Sequence, residues 1–297
     1  MRRVLLTVHA ARDGAPQIAA DFAAALQAAQ IEVRVLEPEA EALVQAGATG
    51  LVTVPAEPGA AHDCELAVVF GGDGTILRAA ELCRGTGTPV LGINLGHVGF
   101  LAEADEEDLA DVAAGVIAGG LTVEERLTVD VVVLVGGTEV ARNWALNEAS
   151  VEKASRQRML EVVVEIDGRP VSRMGCDGVV CATPTGSTAY NFSAGGPVVW
   201  PEVSALLMVP ISAHALFARP MVVSPESTLA VEVVGNATTG VLWCDGRRAA
   251  DLPIGARVEV RRGAEPVRLA RLHPAPFADR LVRKFELPVA GWRGGTS

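Results

Sequence analysis

The chain has 297 residues, 49% of them hydrophobic, which is enough for two domains with sizeable cores. Its 25 basic and 36 acidic residues leave a formal charge of −11, which argues against a nucleic-acid groove or an anionic membrane surface as the main partner. Five scattered cysteines (Cys64, Cys83, Cys176, Cys181, Cys244) without a CxxC pair read as reduced thiols of a cytoplasmic protein, and no apolar run reaches the ~18 residues of a membrane span.

The opening MRRVLLTV lacks the long apolar stretch and cleavage site of a signal peptide, so Val4 to Val8 reads as a buried first strand. PQIAADFAAALQAAQ is predicted helical, with Ile18, Phe22 and Leu26 on one face. IEVRVL follows as a strand and EAEALVQAG as a short helix ending at Gly47. LAVVF (66–70) and PVLGIN (89–94) are further apolar strands. DEEDLADVAAGVIAGG (105–120) reads as a helix with acids in its first turn and glycines at its end, as dipole and capping preferences require. Apolar strands that run continuously, without alternation, suggest a parallel sheet covered on both faces. Near Leu121 the pattern turns β-rich, through RLTVDVVVLVGG, LEVVVEIDGRPVS, STLAVEVVGN, GVLWCDGRR and RVEVRRG. Asp167-Gly168 and Asp245-Gly246 are hairpin-type turns. The expected organisation is therefore an α/β domain over 1–120 and a mostly β domain over 121–270. A tail, 271–297, holds a helix from Ala278 to Phe285.

Three stretches carry chemistry. The first is GGDGT (71–75), placed between a strand and a helix. Such glycines let backbone N–H groups approach phosphate oxygens. The stretch also fits a plain turn whose aspartate caps the next helix. A dinucleotide fingerprint GxGxxG fails at Leu77, and no P-loop is present. A carboxylate inside a phosphate cradle becomes useful if it takes a proton from an attacking hydroxyl or faces a Mg²⁺ ion. Both belong to phosphoryl transfer. The second stretch is DGVVCATPTGSTAYNFSAGGP (177–197), where small hydroxyls crowd around Gly186, Gly195 and Gly196 and suit ribose, amide and phosphate recognition. The third is Asn147-Glu148, where a carboxylate can accept from both ribose hydroxyls and an amide can donate and accept. Alone, that pair also fits an exposed turn. The five histidines (His9, His62, His97, His214, His273) have no metal-ligand spacing, and Cys176 and Cys181 read as small buried side chains. Trp200, Trp243 and Trp292 read as core or interface.

With GINLGHVGFL (92–101) and HALFARPMVVSP (214–225), these stretches resemble the NAD kinase family over nearly the whole chain, particularly its actinobacterial members. TPTGSTAY is the specific element; GGDG alone is shared with lipid kinases and phosphofructokinases. The resemblance implies a Rossmann-like α/β domain, a mostly β domain and a last segment that returns to the first. It implies transfer of a phosphoryl group from ATP, or from inorganic polyphosphate, to the 2′-hydroxyl of the adenosine ribose of NAD, giving NADP. It also implies a requirement for Mg²⁺ or another divalent metal, and a homodimer or homotetramer in which a neighbouring subunit touches NAD. By motif match, Asp73 is the general base with Gly74 beside it, and Asn147 and Glu148 bind the nucleotide. Asp177 binds the nicotinamide end. Thr188, Ala189, Tyr190, Asn191, Phe192 and Ser193 wrap the adenine and ribose. Leu77 and Phe100 line the adenine pocket, and Arg78, Arg158 and Ser212 fall at ligand-contact positions. Two positions depart from the family pattern: Gly175, where some members carry a basic side chain, and Arg247, where many carry Gln. A lipid or sugar kinase sharing only GGDG leaves TPTGSTAY and Asn147-Glu148 without a reason. A non-catalytic dinucleotide sensor leaves the intact Asp73 without one.

Overall fold

The computed structural model describes residues 1–96, 99–102, 104–105, 109–235, 238–272 and 276–289. It comprises two compact units, one of Met1–Glu125 with Val267–Ser297 and one of Arg126–Pro266. His97, His273 and Trp292 lie outside the described residues.

The first unit alternates strand and helix: β1 (Arg3–Val8), α1 (Ala15–Ala28), β2 (Glu32–Leu36), α2 (Glu37–Gln45), β3 (Val52–Val54), β4 (Leu66–Phe70), α3 (Asp73–Leu82), β5 (Val90–Asn94), β6 (Ala104–Asp105), α4 (Leu109–Ala118) and β7 (Thr122–Arg126). The second unit holds β8 (Val129–Val135), β9 (Thr138–Ala145), β10 (Glu148–Lys153), β11 (Leu160–Ile166), β12 (Arg169–Cys176), β13 (Gly178–Ala182), a 3-10 turn (Thr185–Thr188), α5 (Tyr190–Ser193), β14 (Leu206–Ile211), β15 (Met221–Val223), β16 (Leu229–Val234), β17 (Gly240–Cys244), β18 (Arg248–Leu252) and β19 (Ala256–Arg262). The chain then returns to the first unit with β20 (Val267–Arg271) and α6 (Phe277–Phe285).

The first sheet has the order β3-β2-β1-β4-β5-β20-β7, with β6 beside β5. The pairs β1–β2, β2–β3, β1–β4, β4–β5, β5–β6 and β5–β20 are parallel. Every residue of β4 and β5 is buried, as strands covered on both faces require. Edge-to-face packing of Phe22 on Phe70, with centroids 5.3 Å apart, ties α1 to β4. The chain winds outward from β1 in one direction and resumes at β4 in the other. The carboxyl ends of β1 and β4 therefore flank a topological switch point, where open α/β sheets bind ligands.

The helix expected over 105–120 starts later. Ala104 and Asp105 pair with Ile93 and Asn94 as β6, α4 begins at Leu109, and 106–108 lie outside the described residues. The pull of the sheet edge outweighs the acidic helix-start signal. Strand β3 is short and half-exposed and carries no apolar run that would announce it.

The second unit is a sandwich of two six-stranded sheets, β15-β14-β13-β10-β17-β18 and β12-β11-β16-β19-β8-β9, paired antiparallel. Alternate residues of β8, β11 and β19 interleave with Val151, Val179, Cys181, Met208, Leu242 and Cys244 in one core. Asp167 and Gly168 (φ 54 and 72°) and Asp245 and Gly246 (φ 53 and 62°) form the expected hairpin turns, both central residues being left-handed. Among the described residues no helix is long and apolar enough to cross a membrane.

Candidate active site

In the first unit the site begins where β4 stops. Gly71 must be glycine, since a Cβ there would lie 2.5 Å from Thr75 Oγ1. Gly72 is extended and precedes α3, and its carbonyl accepts from the Thr75 and Ile76 N–H groups at 2.9 and 3.1 Å. Asp73 is the first residue of α3, at the switch point and at the positive end of the helix dipole. Its carboxylate accepts from Phe100 N–H and Leu101 N–H, each at 3.1 Å. Gly99 permits this approach, because a Cβ there would collide with Asp73 Oδ1. Gly74 is exposed, and a Cβ there would meet nothing within 4 Å.

Two arginines from the returning segment hold 100–102 from the other side. Arg271, 1% exposed, donates to the Leu101 and Ala102 carbonyls at 3.2 and 3.4 Å. Arg280 donates to those of Phe100 and Ala102 at 3.1 and 3.2 Å. The Phe100 ring lies 5.9 Å from that of Phe277 and 5.8 Å from that of Phe285. Asp73 is thus fixed by two amides, and a carboxylate with about four lone-pair sites keeps capacity to accept more. Arg78 turns to Glu39 at 2.7 Å, and Glu39, nearly fully buried, also accepts from Val8 N–H at 2.8 Å. Burial pushes the Glu39 carboxyl up, against the Val8 amide and Arg78, which hold it down.

In the second unit the backbone of residues 146–148, between β9 and β10, is fully accounted for. The N–H groups of Leu146, Asn147 and Glu148 all donate to the Asp245 carboxylate, at 3.0, 2.7 and 3.4 Å. Thr183 Oγ1 donates to the Leu146 carbonyl at 2.6 Å, Thr183 N–H to that of Asn147 and Asp245 N–H to that of Glu148, both at 2.9 Å. No Cβ fits at Gly186, since it would overlap the Asn147 backbone. The TPTGST stretch and Asn147-Glu148 are therefore pressed together by packing.

Glu148 is 7% exposed, and its Oε2 has no hydrogen-bond partner among the described residues. Burial, reinforced by Asp245 and Glu152, pushes its carboxyl up to about 8, while the Tyr190 N–H at the start of α5 favours the ionised form. A buried, half-satisfied acceptor is what a ligand's N–H or O–H group can complete. Asn191 is fully buried and donates to the Ser187 and Pro197 carbonyls at 3.0 and 3.1 Å. Its amide braces the loop from inside, whereas Tyr190, Phe192 and Ser193 are exposed and Thr188 and Ala189 half-exposed. Between β12 and β13, Asp177 pairs with Lys153, whose hydrogen bond holds its carboxyl below the usual range. Ser212, left-handed at φ 48°, also bonds Asp177.

Comparison with known proteins also divides the chain in two, with the second match running from within the second unit into β20. Residues 4–121 match the ATP-NAD kinase N-terminal domain and residues 146–272 the ATP-NAD kinase C-terminal domain. An "NAD kinase 2" of Streptomyces avermitilis is 62% identical over 293 residues, spanning 99% of this chain and 97% of that protein. The chain belongs to the NAD kinase family. Its fold is that of solved members. An Archaeoglobus fulgidus NAD kinase in complex with ATP aligns with a TM-score of 0.69 at 28% identity, over 91% of this chain and 93% of that one. A yeast NADH kinase complexed with NADH aligns at 0.88 and 23% identity, over 97% and 88%, a likeness of fold alone.

The residues that the NAD kinase resemblance singles out cluster in part. Asp73 and Phe100 meet in the first unit, where Leu77 is buried in α3. Asn147, Glu148 and the start of α5 meet in the second, as do Asp177 and Ser212. Arg158 stands exposed in the turn between β10 and β11. Lys153, Arg271 and Arg280 carry no motif signal in the sequence, and Asp245 reads there as a hairpin residue only. The left-handed Asp of a DG turn was the available signal, but nothing in the turn says what its carboxylate reaches.

Proposed function

We propose that this NAD kinase transfers a phosphoryl group from ATP to the 2′-hydroxyl of the adenosine ribose of NAD, giving NADP, with Asp73 as general base. The observation that carries this reading is the placement of Asp73. It is the first residue of α3, directly after the Gly71-Gly72 turn at the end of β4, and backbone amides of 100–101 fix its carboxylate. The amide end of α3 attracts phosphate. The carboxylate draws the proton from the attacking hydroxyl. Gly74 allows close approach of phosphate, Leu77 and Phe100 supply apolar contact, and Arg78 and Arg158 supply positive charge. Asn147 and Glu148 recognise the adenosine through the open acceptor of Glu148. Residues 188–193 cover it, and Asp177, held by Lys153 and Ser212, orients the nicotinamide end.

ATP is favoured as donor because the Archaeoglobus relative holds it; polyphosphate is the second donor to assay. Among the described residues no group of three or more His, Cys, Asp or Glu could hold a metal. Mg²⁺ would arrive on the donor phosphates, an ion that usually takes only one or two protein carboxylates. Its chemistry is to neutralise charge on the transferring group. Exposed Tyr190, Phe192, Trp200, Leu216 and Phe217 in the second unit support a homodimer or homotetramer. The five buried free thiols suit the cytoplasm. The test is direct: incubation with Mg-ATP and NAD yields NADP, read with an NADP-specific dehydrogenase. Absence of NADP with every donor overturns the reading.

A further inference from the structure

We infer that Asp245 is a positioning residue for the nucleotide pair, setting both the geometry and the charge of Glu148. This rests on the proposal that Asn147 and Glu148 bind NAD. Three successive N–H groups, of Leu146, Asn147 and Glu148, converge on its carboxylate, and its own N–H returns to the Glu148 carbonyl. Few single side chains anchor three consecutive residues. The arrangement depends on the tight turn that puts Asp245 at φ 53°, a conformation Asp tolerates better than most residues. Asp245 is 7% exposed and is anchored in turn by Arg248 Nη2 at 2.8 Å. The Arg248 guanidinium lies 4.6 Å from the centre of the Trp144 ring, on the strand that leads into 146–148. The hairpin β17–β18 therefore holds the end of β9 and the start of β10 through the buried Asp245 carboxylate and its Arg248 partner.

The same carboxylate places negative charge beside Glu148; burial pushes its own carboxyl up, against the three amides and Arg248, which hold it down. The other groups acting on Glu148 are Glu152 on its own strand and the Tyr190 N–H on α5; the Cys244 thiol at the end of β17, which burial pushes up to about 12, in turn feels the Glu148 charge. Asp245 makes Glu148 harder to ionise, and Arg248, paired with Asp245, favours the ionised form of that carboxylate. A ribose hydroxyl or an adenine amine needs an acceptor, so NAD binds best when Glu148 is ionised.

The test measures KM and calorimetric affinity for NAD between pH 6 and 9.5. In the unaltered protein, KM falls as pH rises through about 8, the value to which burial pushes Glu148. Glu148→Gln flattens this profile and raises KM at high pH roughly ten- to a hundredfold. Asp245→Asn moves the inflection to lower pH, and in the high-pH plateau raises KM about tenfold with kcat little changed. Arg248→Met removes the partner that keeps the buried Asp245 ionised, so it also moves the inflection to lower pH, and it carries the test if Asp245→Asn does not fold. A purely structural role would raise KM without moving the inflection. An unmoved inflection in both variants, with Glu148→Gln impaired, overturns the role of Asp245. An unchanged KM in Glu148→Gln overturns the binding reading on which it rests.

Discussion

Asp73 does not cap the helix it begins. Its carboxylate spans instead to the amides of Phe100 and Leu101, so one residue fixes a loop and stands at the phosphate end of α3. Asp73→Asn preserves the shape but cannot take a proton, and it sets an NH₂ group against an amide N–H. Turnover to NADP is expected to fall by roughly 10²–10⁴, the usual contribution of a general base. NAD affinity by calorimetry should stay within a few-fold, while hydrogen exchange at Phe100 and Leu101 speeds up. Near-unaltered turnover in a variant that binds NAD would remove Asp73 from the chemistry. Glu148 gives a second residue-scale expectation. Burial pushes its folded-state carboxyl up to about 8, well above the ~4.3 of a free glutamate. Between those values the folded state binds more protons than the unfolded chain, so this group lowers stability as pH rises through the window, and the loss persists above it. Glu148→Gln is indifferent to pH there. Its melting temperature relative to the unaltered protein should therefore be higher at pH 9 than at pH 5. An equal difference at both values would mean that Glu148 is not a buried acid.

At the scale of elements, two glycines in the motifs make opposite predictions. Gly186→Ala drives a Cβ into the Asn147 backbone and must part the TPTGST turn from the start of β10. Overpacking of this kind costs about 1–3 kcal/mol, so both melting temperature and NAD affinity should drop. Gly74 is in the first turn of α3 with open space around its Cβ position. Gly74→Ala should raise stability by up to ~1 kcal/mol on helix propensity. Turnover should nevertheless fall if phosphate approaches the backbone there. A stabilised variant with full activity would release Gly74 from the site. The same elements show how far sequence reasoning reaches. Strands β1, β4 and β5 and the DG hairpins announce themselves, because apolar runs and left-handed turn residues are local signals. The bonds from Asp245 to 146–148, and from Arg271 and Arg280 to 100–102, join residues distant in the chain, and no periodicity encodes them. The late start of α4 has a related cause: the acids at 105–108 satisfy a helix-start rule, yet Ala104 and Asp105 pair with β5. Motif residues were recognisable by type; what braces them was not.

At the scale of the whole molecule, the second unit exposes the aromatic side chains of Tyr190, Phe192, Trp200 and Phe217. If a neighbouring copy covers them, specific activity should fall on dilution as sizing shows dissociation. Constant activity in a fully monomeric sample would exclude a shared site. The first unit is made from two separated pieces of chain. Its sheet takes in β20 beside β5, and Arg271 and Arg280 arrive with that piece to grip 100–102. The second unit is continuous and carries its own core. A fragment of residues 126–266 should therefore melt cooperatively by itself, whereas residues 1–125 alone should not. On a translating ribosome this reverses the order of completion. The piece made first must wait, with the Val90 end of β5 lacking its β20 partner, until the inserted sandwich has emerged and the closing strand follows it. A nascent chain stalled just before Val267 would thus display a finished β domain beside an open sheet edge that chaperones can recognise.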